Sequence, residues 1–217
     1  MPNFNITIMK KIFTTLLILF GFYSIAFAQQ KGSVDYGINV GYNGSYVTET
    51  NSNVSSDYVS GFNAGAYVDS YFSNSWSLKV KVNYDQKGWG NGFLDDGNGN
   101  SVTGVNFKLN YITIPVLANW HFGRTRNWYL NFGPYVGILT GAKESTDDID
   151  VKQVFNTTDF GLDLGIGVKI PLSNKAKLFF EYDGQGGVTN IFKDSDDGSS
   201  VQNVRTSINV GLNFNLN

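Results

Sequence analysis

Between Val34 and Leu216 the chain alternates apolar and polar residues with period two in eight runs, and the apolar members fall mostly on even numbers. The first run sets Val34, Tyr36, Ile38, Val40 and Tyr42 against Asp35, Gly37, Asn39, Gly41 and Asn43. The last sets Thr206, Ile208, Val210, Leu212, Phe214 and Leu216 against Arg205, Ser207, Asn209, Gly211, Asn213 and Asn215. Successive side chains of a β-strand point to opposite faces, so parity sorts these residues into one apolar and one polar surface. A helix would need a repeat near 3.6, which none of the runs shows.

The runs predict strands over roughly 33–43, 59–72, 76–87, 104–122, 128–141, 157–170, 176–186 and 202–216. Three connections are short: 72–76, 123–127 and 171–175. Four are long: 44–58, 88–103, 142–156 and 187–201. Short turns at one end and long loops at the other are the asymmetry of outer-membrane barrels. An even strand count puts both chain ends at the short-turn side. No linker or second composition zone divides the chain.

The even face is apolar through Phe62–Val68, Leu78–Tyr84, Ile112–Trp120, Leu130–Ile138 and Phe160–Ile170, and carries no charge. A lipid-facing wall should look like this, since one Lys or Arg at mid-bilayer costs roughly 2–4 kcal/mol. Phe72, Trp76, Trp120, Phe122 and Trp128 cluster beside the short turns, where an interfacial aromatic girdle belongs, with Tyr42, Tyr84 and Tyr182 for the opposite girdle. A soluble sandwich or barrel would also alternate, with its apolar face inward. Against it stand the loop asymmetry and the many odd-numbered glycines, among them Gly37, Gly161, Gly165 and Gly167, which suit a crowded lumen.

The beginning of the chain reads as an export signal. Lys10 and Lys11 precede a mostly apolar stretch, Ile12–Ala26, and Ala26-Phe27-Ala28 matches the small-x-small cleavage pattern. The division expected is residues 1–28 as a removed signal peptide and 29–217 as a single barrel domain, with Met9 a more natural start than Met1. Removing the leader takes the formal charge from −2 to −4. That mild acidity lacks the basic footprint nucleic acid requires. With no cysteine, disulfides, thiolate chemistry and Cys-based metal sites are excluded. No stretch after the leader is apolar enough for a membrane helix, so a membrane location requires a closed barrel.

Parity breaks once. Over 105–111 the apolar residues are odd (Val105, Phe107, Leu109, Tyr111), and from Ile112 they are even. Two explanations remain open: a β-bulge with Pro115 beside it, or a rise above the membrane where no phase is enforced.

The inward charges expected are Asp35, Asp69, Asp85, Asp159, Asp163, Glu181 and Asp183 against Lys79, Lys81, Lys87, Lys108, Lys169, Lys177 and Arg205. Equal numbers of each sign suggest paired charges filling an eight-stranded interior only wide enough for side chains, hence a plug rather than a diffusion pore. A lumen biased to one sign would favour ion selectivity instead. The long loops hold eleven of the eighteen acids: Glu49, Asp57, Asp95, Asp96, Glu144, Asp147, Asp148, Asp150, Asp194, Asp196 and Asp197. Within them Asp96, Asn98 and Asn100, and Asp194, Asp196 and Asp197, are weak metal candidates, because neither stretch has the full calcium-loop spacing or its distal glutamate.

Catalytic residues are not expected. The sole histidine, His121, sits at the short-turn end, away from any surface-side active site a Ser-His-Asp set would serve, and reads as an interfacial polar residue. Asp159 and Asp163 share a face, which suits salt bridges better than acid–base work.

Segments Leu109–Leu117, Asn131–Gly137, Asp159–Gly165 and Asn209–Phe214, with their Tyr-x-x-Ile-Pro and Gly-Pro-Tyr-x-Gly pieces, make the chain resemble the outer membrane protein β-barrel domain family, the porin-like small barrels of Gram-negative bacteria. The resemblance implies an all-β, eight-stranded antiparallel up-and-down transmembrane barrel, inserted by the outer-membrane assembly machinery. It carries no catalytic residue set. Many such barrels end in an aromatic residue read by that machinery; here Phe214 stands near an Asn217 terminus. The expected function is non-enzymatic: a surface or envelope role through acidic extracellular loops, in adhesion, partner binding or envelope integrity. Alternatives are a narrow channel for small molecules and an accessory of a secretion system. Outer-membrane lipid and lipopolysaccharide are the expected surroundings, with no cofactor and no nucleic acid. Oligomeric state cannot be read from the residues.

Overall fold

In a computed structural model, described for residues 31–49, 56–95, 101–145, 148–193 and 200–215, eight antiparallel strands close into one barrel. They are β1 (Val34–Glu49), β2 (Val59–Tyr71), β3 (Trp76–Asp95), β4 (Ser101–Phe122), β5 (Trp128–Glu144), β6 (Thr158–Pro171), β7 (Ala176–Gly187) and β8 (Val201–Asn215). Each strand pairs with its sequence neighbours, and β8 returns to β1 along the whole of its own length, from Asp35↔Asn215 to Glu49↔Val201. No sheet edge is left in the ring, the condition a membrane imposes on strands.

The two faces sort by parity as the alternation requires. Even residues such as Ile38, Leu164 and Ile208 are 55%, 58% and 65% exposed on the outer wall. Their odd neighbours Asn39, Asp163 and Asn209 are buried inside. Beside the short turns, Trp76 lies stacked on Trp120 at 6.2 Å and edge-on to Phe132 at 6.3 Å, while Phe72 and Trp128 remain exposed. At the other end Tyr42 and Tyr182 are exposed on the same face. On β5 the wall runs from Trp128 to Ile138, a span that matches the roughly 9–11 residues of a transmembrane strand. The odd glycines serve the lumen: a β-carbon at Gly37 would overlap the Tyr67 ring, and one at Gly167 would overlap Tyr129.

Three expectations change. First, β1 and β3 run past residues 43 and 87, to Glu49 and Asp95, so the first two long connections are shorter than the pattern suggested. Above the lipid no hydrophobic face is demanded, so the ladder continues where the alternation fades. Glu49 and Asp95 thereby belong to strands, and Glu144 is a buried residue closing β5.

Second, β4 keeps its phase. Val105, Phe107, Leu109 and Tyr111 all point inward, as do Thr113 and Leu117 below them. What changes along β4 is the character of the lumen, from polar to apolar. The register slip lies on the neighbours: β5 gains one residue at Thr140, between Tyr111↔Leu139 and Asn110↔Gly141. Past it, even residues Ala142 and Glu144 face inward. A second irregularity on β3 falls at Trp89–Phe93, with Asn91 at φ 55° and Gly104 at φ 79° on the facing strand. Pro115 stays in register with Tyr135.

Third, Lys108 faces outward and is exposed, cross-strand from Lys143. It lies twelve residues above Trp120 on β4. At about 3.3 Å per residue and a tilt near 40°, that is ~30 Å, beyond the roughly 25 Å apolar band.

This wall generates an expected outcome. Leu164→Arg, in the middle of the outer face of β6, should destabilise the refolded barrel by roughly 2–4 kcal/mol in denaturant titrations in lipid vesicles. An arginine in place of Lys108 should leave stability unchanged within ~0.5 kcal/mol. Equal costs at the two positions would contradict the placement of the lipid band.

Candidate functional site: the filled lumen and its rim

The lumen is built in layers, one from each set of inward residues that the barrel shear brings to a common height. At the short-turn end the Lys169 ammonium lies 3.4 Å from both Asp35 and Asp69 and donates to Tyr71 Oη at 3.0 Å. Asn119 donates to Asp69 at 3.0 Å, and Asn215 to Asp35 at 3.0 Å.

One layer up, Glu181 is the hub. It accepts from Lys81 at 2.9 Å, Lys79 at 3.3 Å and Asn131 at 2.8 Å. The Lys79 ammonium sits over the rings of Tyr129 (4.3 Å) and Tyr67 (5.0 Å), where ring quadrupoles replace lost hydration. Above it Asp183 binds Arg205, Lys81 (3.6 Å), Ser207 and Asn209, while Arg205 reaches Asp85 at 3.3 Å. Asn43 donates to Asp85 at 2.8 Å. The uppermost charged layer pairs Lys87 with Asp159 at 2.9 Å, with Tyr135 and Asn203 also donating to that carboxylate.

All seven expected inward acids are buried, as are Lys79, Lys81, Lys87, Lys169 and Arg205. Lys177 is half-buried at the lower mouth, and Lys108 is outside. Asp163 stands apart: among the described residues it has no ion pair within 4 Å and takes a hydrogen bond from Gln185 at 2.9 Å.

The lumen ends in an apolar cap under the long connections. Trp89 stacks on Phe107 at 4.7 Å and meets Phe155 edge-on at 5.9 Å; Phe155 lies 5.0 Å from Phe192. Leu109, Leu139, Val151 and Ile191 complete the cluster, each under 5% exposed. Phe155 and Ile191 come from connections, so two of the loops fold inward to close the mouth. The sequence carried the signal for this cap, the odd-numbered apolar run 105–111, but a change of lumen polarity looks like a phase slip when only parity is available.

The residues singled out earlier fare differently. His121 is not interfacial: it is 1% exposed inside the lower lumen. Its Nε2 lies 3.0 Å from Ser77 Oγ and 3.8 Å from Asp69, so Ser, His and Asp do come together. Both partners approach the same ring nitrogen, whereas a catalytic relay needs the carboxylate on the other one, and all three side chains are buried. Asp159 is committed to Lys87 rather than paired with Asp163. The metal candidates Asp96, Asn98, Asn100, Asp194, Asp196 and Asp197, with Asp147, lie outside the described residues. Among the described residues no group of three metal-type side chains gathers. Asp57, Asp148 and Asp150 are exposed in connections, and Asp148 pairs with Lys143 at 2.7 Å.

The hub and the lone carboxylate should respond in opposite ways. Glu181→Gln takes from Lys79 its ion-pair partner and leaves Lys81 with Asp183 at 3.6 Å, and should cost about 3–5 kcal/mol. Asp163→Asn keeps a partner for Gln185 and removes a surplus negative charge, so its cost should stay within about 1 kcal/mol. Urea unfolding in lipid vesicles reads both.

The comparisons with known proteins agree with this architecture. Among solved structures, the outer membrane protein OprG from Pseudomonas aeruginosa superposes with a TM-score of 0.50 at 11% identity, covering 86% of this chain and 98% of its own. The outer membrane protein AlkL, in lipid bilayers, gives 0.50 at 9% identity over 86% and 91%. Neisserial surface protein A gives 0.47 at 16% identity over 82% and 96%. At these identities the likeness is one of fold. No curated protein sequence matches the chain. The profile described as "Outer membrane protein beta-barrel domain" matches residues 27–193. The closing segment Asn209–Phe214 lies beyond that match and enters the barrel through its pairing with β1 and β7. Together, the matched profile and the closed eight-stranded ring show that the chain belongs to the outer membrane protein β-barrel domain family and resides in the bacterial outer membrane.

Proposed function

We propose that the protein is a non-enzymatic envelope component: a sealed barrel that holds a structured rim at the cell surface, where it binds a partner or supports envelope integrity. The observation that carries this reading is the continuity of the filling. Ion-paired layers run from Lys169 to Lys87, the Trp89–Phe107–Phe155 cap follows, and their charged side chains are no more than 3% exposed. An ion entering such a lumen would have to displace buried pairs, each held by several further hydrogen bonds.

On this reading residues 1–28 are an export signal removed before insertion, and Phe214, outward-facing at the end of β8, is the aromatic read during assembly. N-terminal sequencing of the protein taken from the outer membrane should begin at Gln29.

Planar-bilayer recording of the refolded protein tests the seal. The expected result is no steady single-channel conductance. Replacing Glu181, Lys79 and Lys81 together by serine should introduce one, provided the variant keeps heat-modifiable gel mobility. A steady conductance from the unmodified protein would favour the narrow-channel reading instead.

A further inference from the structure

Outside the lumen, a pocket of about 350 Å³ opens on the flank of the rim. It exists because the wall comes apart locally. The β5–β6 ladder ends at Ile138↔Thr158 and Leu139 N–H to Thr157 O; pairing along β5 resumes only with Val151 N–H to Ala142 O and the Lys143↔Asp150 bridge. Between these points the 3-10 turn Lys152–Val154 stands off β5, opposite the bulge at Thr140. Leu139 and Phe155 form the pocket's floor, and Lys152, Lys193, Asp150 and Thr157 its rim.

The two ammonium groups are under-used. Lys152 Nζ donates to Thr140 O at 3.1 Å and Lys193 Nζ to Gln153 O at 2.8 Å. Among the described residues neither has a carboxylate within ion-pair distance. An ammonium has three donors, so among the described residues each keeps two for a ligand. Asp150 accepts the Lys152 backbone N–H at 2.9 Å, and its one negative charge stands against the two ammonium groups of the rim. The rim therefore favours an anion.

Height decides which anion. Directly below lie the lipid-facing Ile138 and Phe160, 43% and 47% exposed, and the same connection presents Val154 and Ile149, 43% and 45% exposed. Apolar side chains flanked by ammonium groups, just above the apolar band, mark the level where acyl chains give way to head groups. We propose that this pocket binds the phosphate group of an outer-leaflet glycolipid, with Lys152 and Lys193 holding the phosphate oxygens and Val154 resting against the first part of the acyl region. This inference rests on the membrane placement of the barrel and is independent of the sealed lumen.

The test uses the refolded full barrel in uncharged maltoside micelles, with amide NMR shifts at residues 140–157 as the readout. Bisphosphorylated lipid A should shift this segment saturably, and fully dephosphorylated lipid A should bind at least tenfold more weakly. Lys152→Gln combined with Lys193→Gln should weaken lipid A binding by about tenfold or more, whereas Lys175→Gln, in the turn at the opposite end, should not. Equal binding of the two lipids, or undiminished binding by the double variant, would overturn the proposal. Inorganic phosphate alone reproducing the shift at similar concentration would make this a free-phosphate site and overturn the lipid assignment. The comparison of the two lipids on the unmodified protein stands even if the double variant does not fold.

Discussion

Hydrocarbon offers no partner to a backbone N–H or C=O group, and most of this molecule follows from that one fact. The chain satisfies its backbone by pairing β1 with β8 over fifteen residue pairs, leaving no open edge at the seam. Ring closure divides every strand into an outside and an inside. The outside is solvated by lipid and needs only apolar side chains. The inside is too narrow for bulk water and must be filled, and the only residues available are those of opposite parity.

That filling has its own logic. Each carboxylate of the ion-paired layers is surrounded by more than one donor, as Glu181 is by Lys79, Lys81 and Asn131, and Asp163, with Gln185 alone, stands outside that pattern. Tyrosine rings then cover the lysine ammonium groups, Tyr67 and Tyr129 at one height and Tyr111 and Tyr135 at another. Such networks contribute less to stability than their number suggests, because desolvation offsets much of the attraction. In the observed register the charges of opposite sign from distant strands stand at matching heights, as Lys79 of β3 and Glu181 of β7 do.

What could be read from the residues divides along the same line. The wall was legible, since lipid demands an apolar residue at every second position and the demand is local. The strand count, the girdle and the buried set of acids followed directly. Pairing partners were not legible: Glu181 and Lys79 stand 102 positions apart and meet only through the shear of a closed ring. The end of the barrel at which His121 lies is legible, but its surface is not, because a residue beside Trp120 at the turn looks interfacial until parity is followed to the strand's end. The tips of β1 and β3 escaped notice because water, unlike lipid, imposes no alternation. The cap is hard to recognise from parity for a related reason. Its apolar residues obey the inward parity, yet they look displaced when inward is assumed to mean polar.

The alternation has a consequence beyond the finished barrel. A protein of the outer membrane must first traverse an inner one, and a chain whose greasy residues were contiguous would be halted there as a helix. Within each strand the apolar residues of the wall, such as Ile38 and Val210, are each separated from the next by a residue destined for the interior. Diluted in this way, the wall stays hidden until strands form. The salt-bridged filling thus also serves as a disguise in transit, making the unfolded polypeptide polar enough to pass a bilayer that its folded form would occupy.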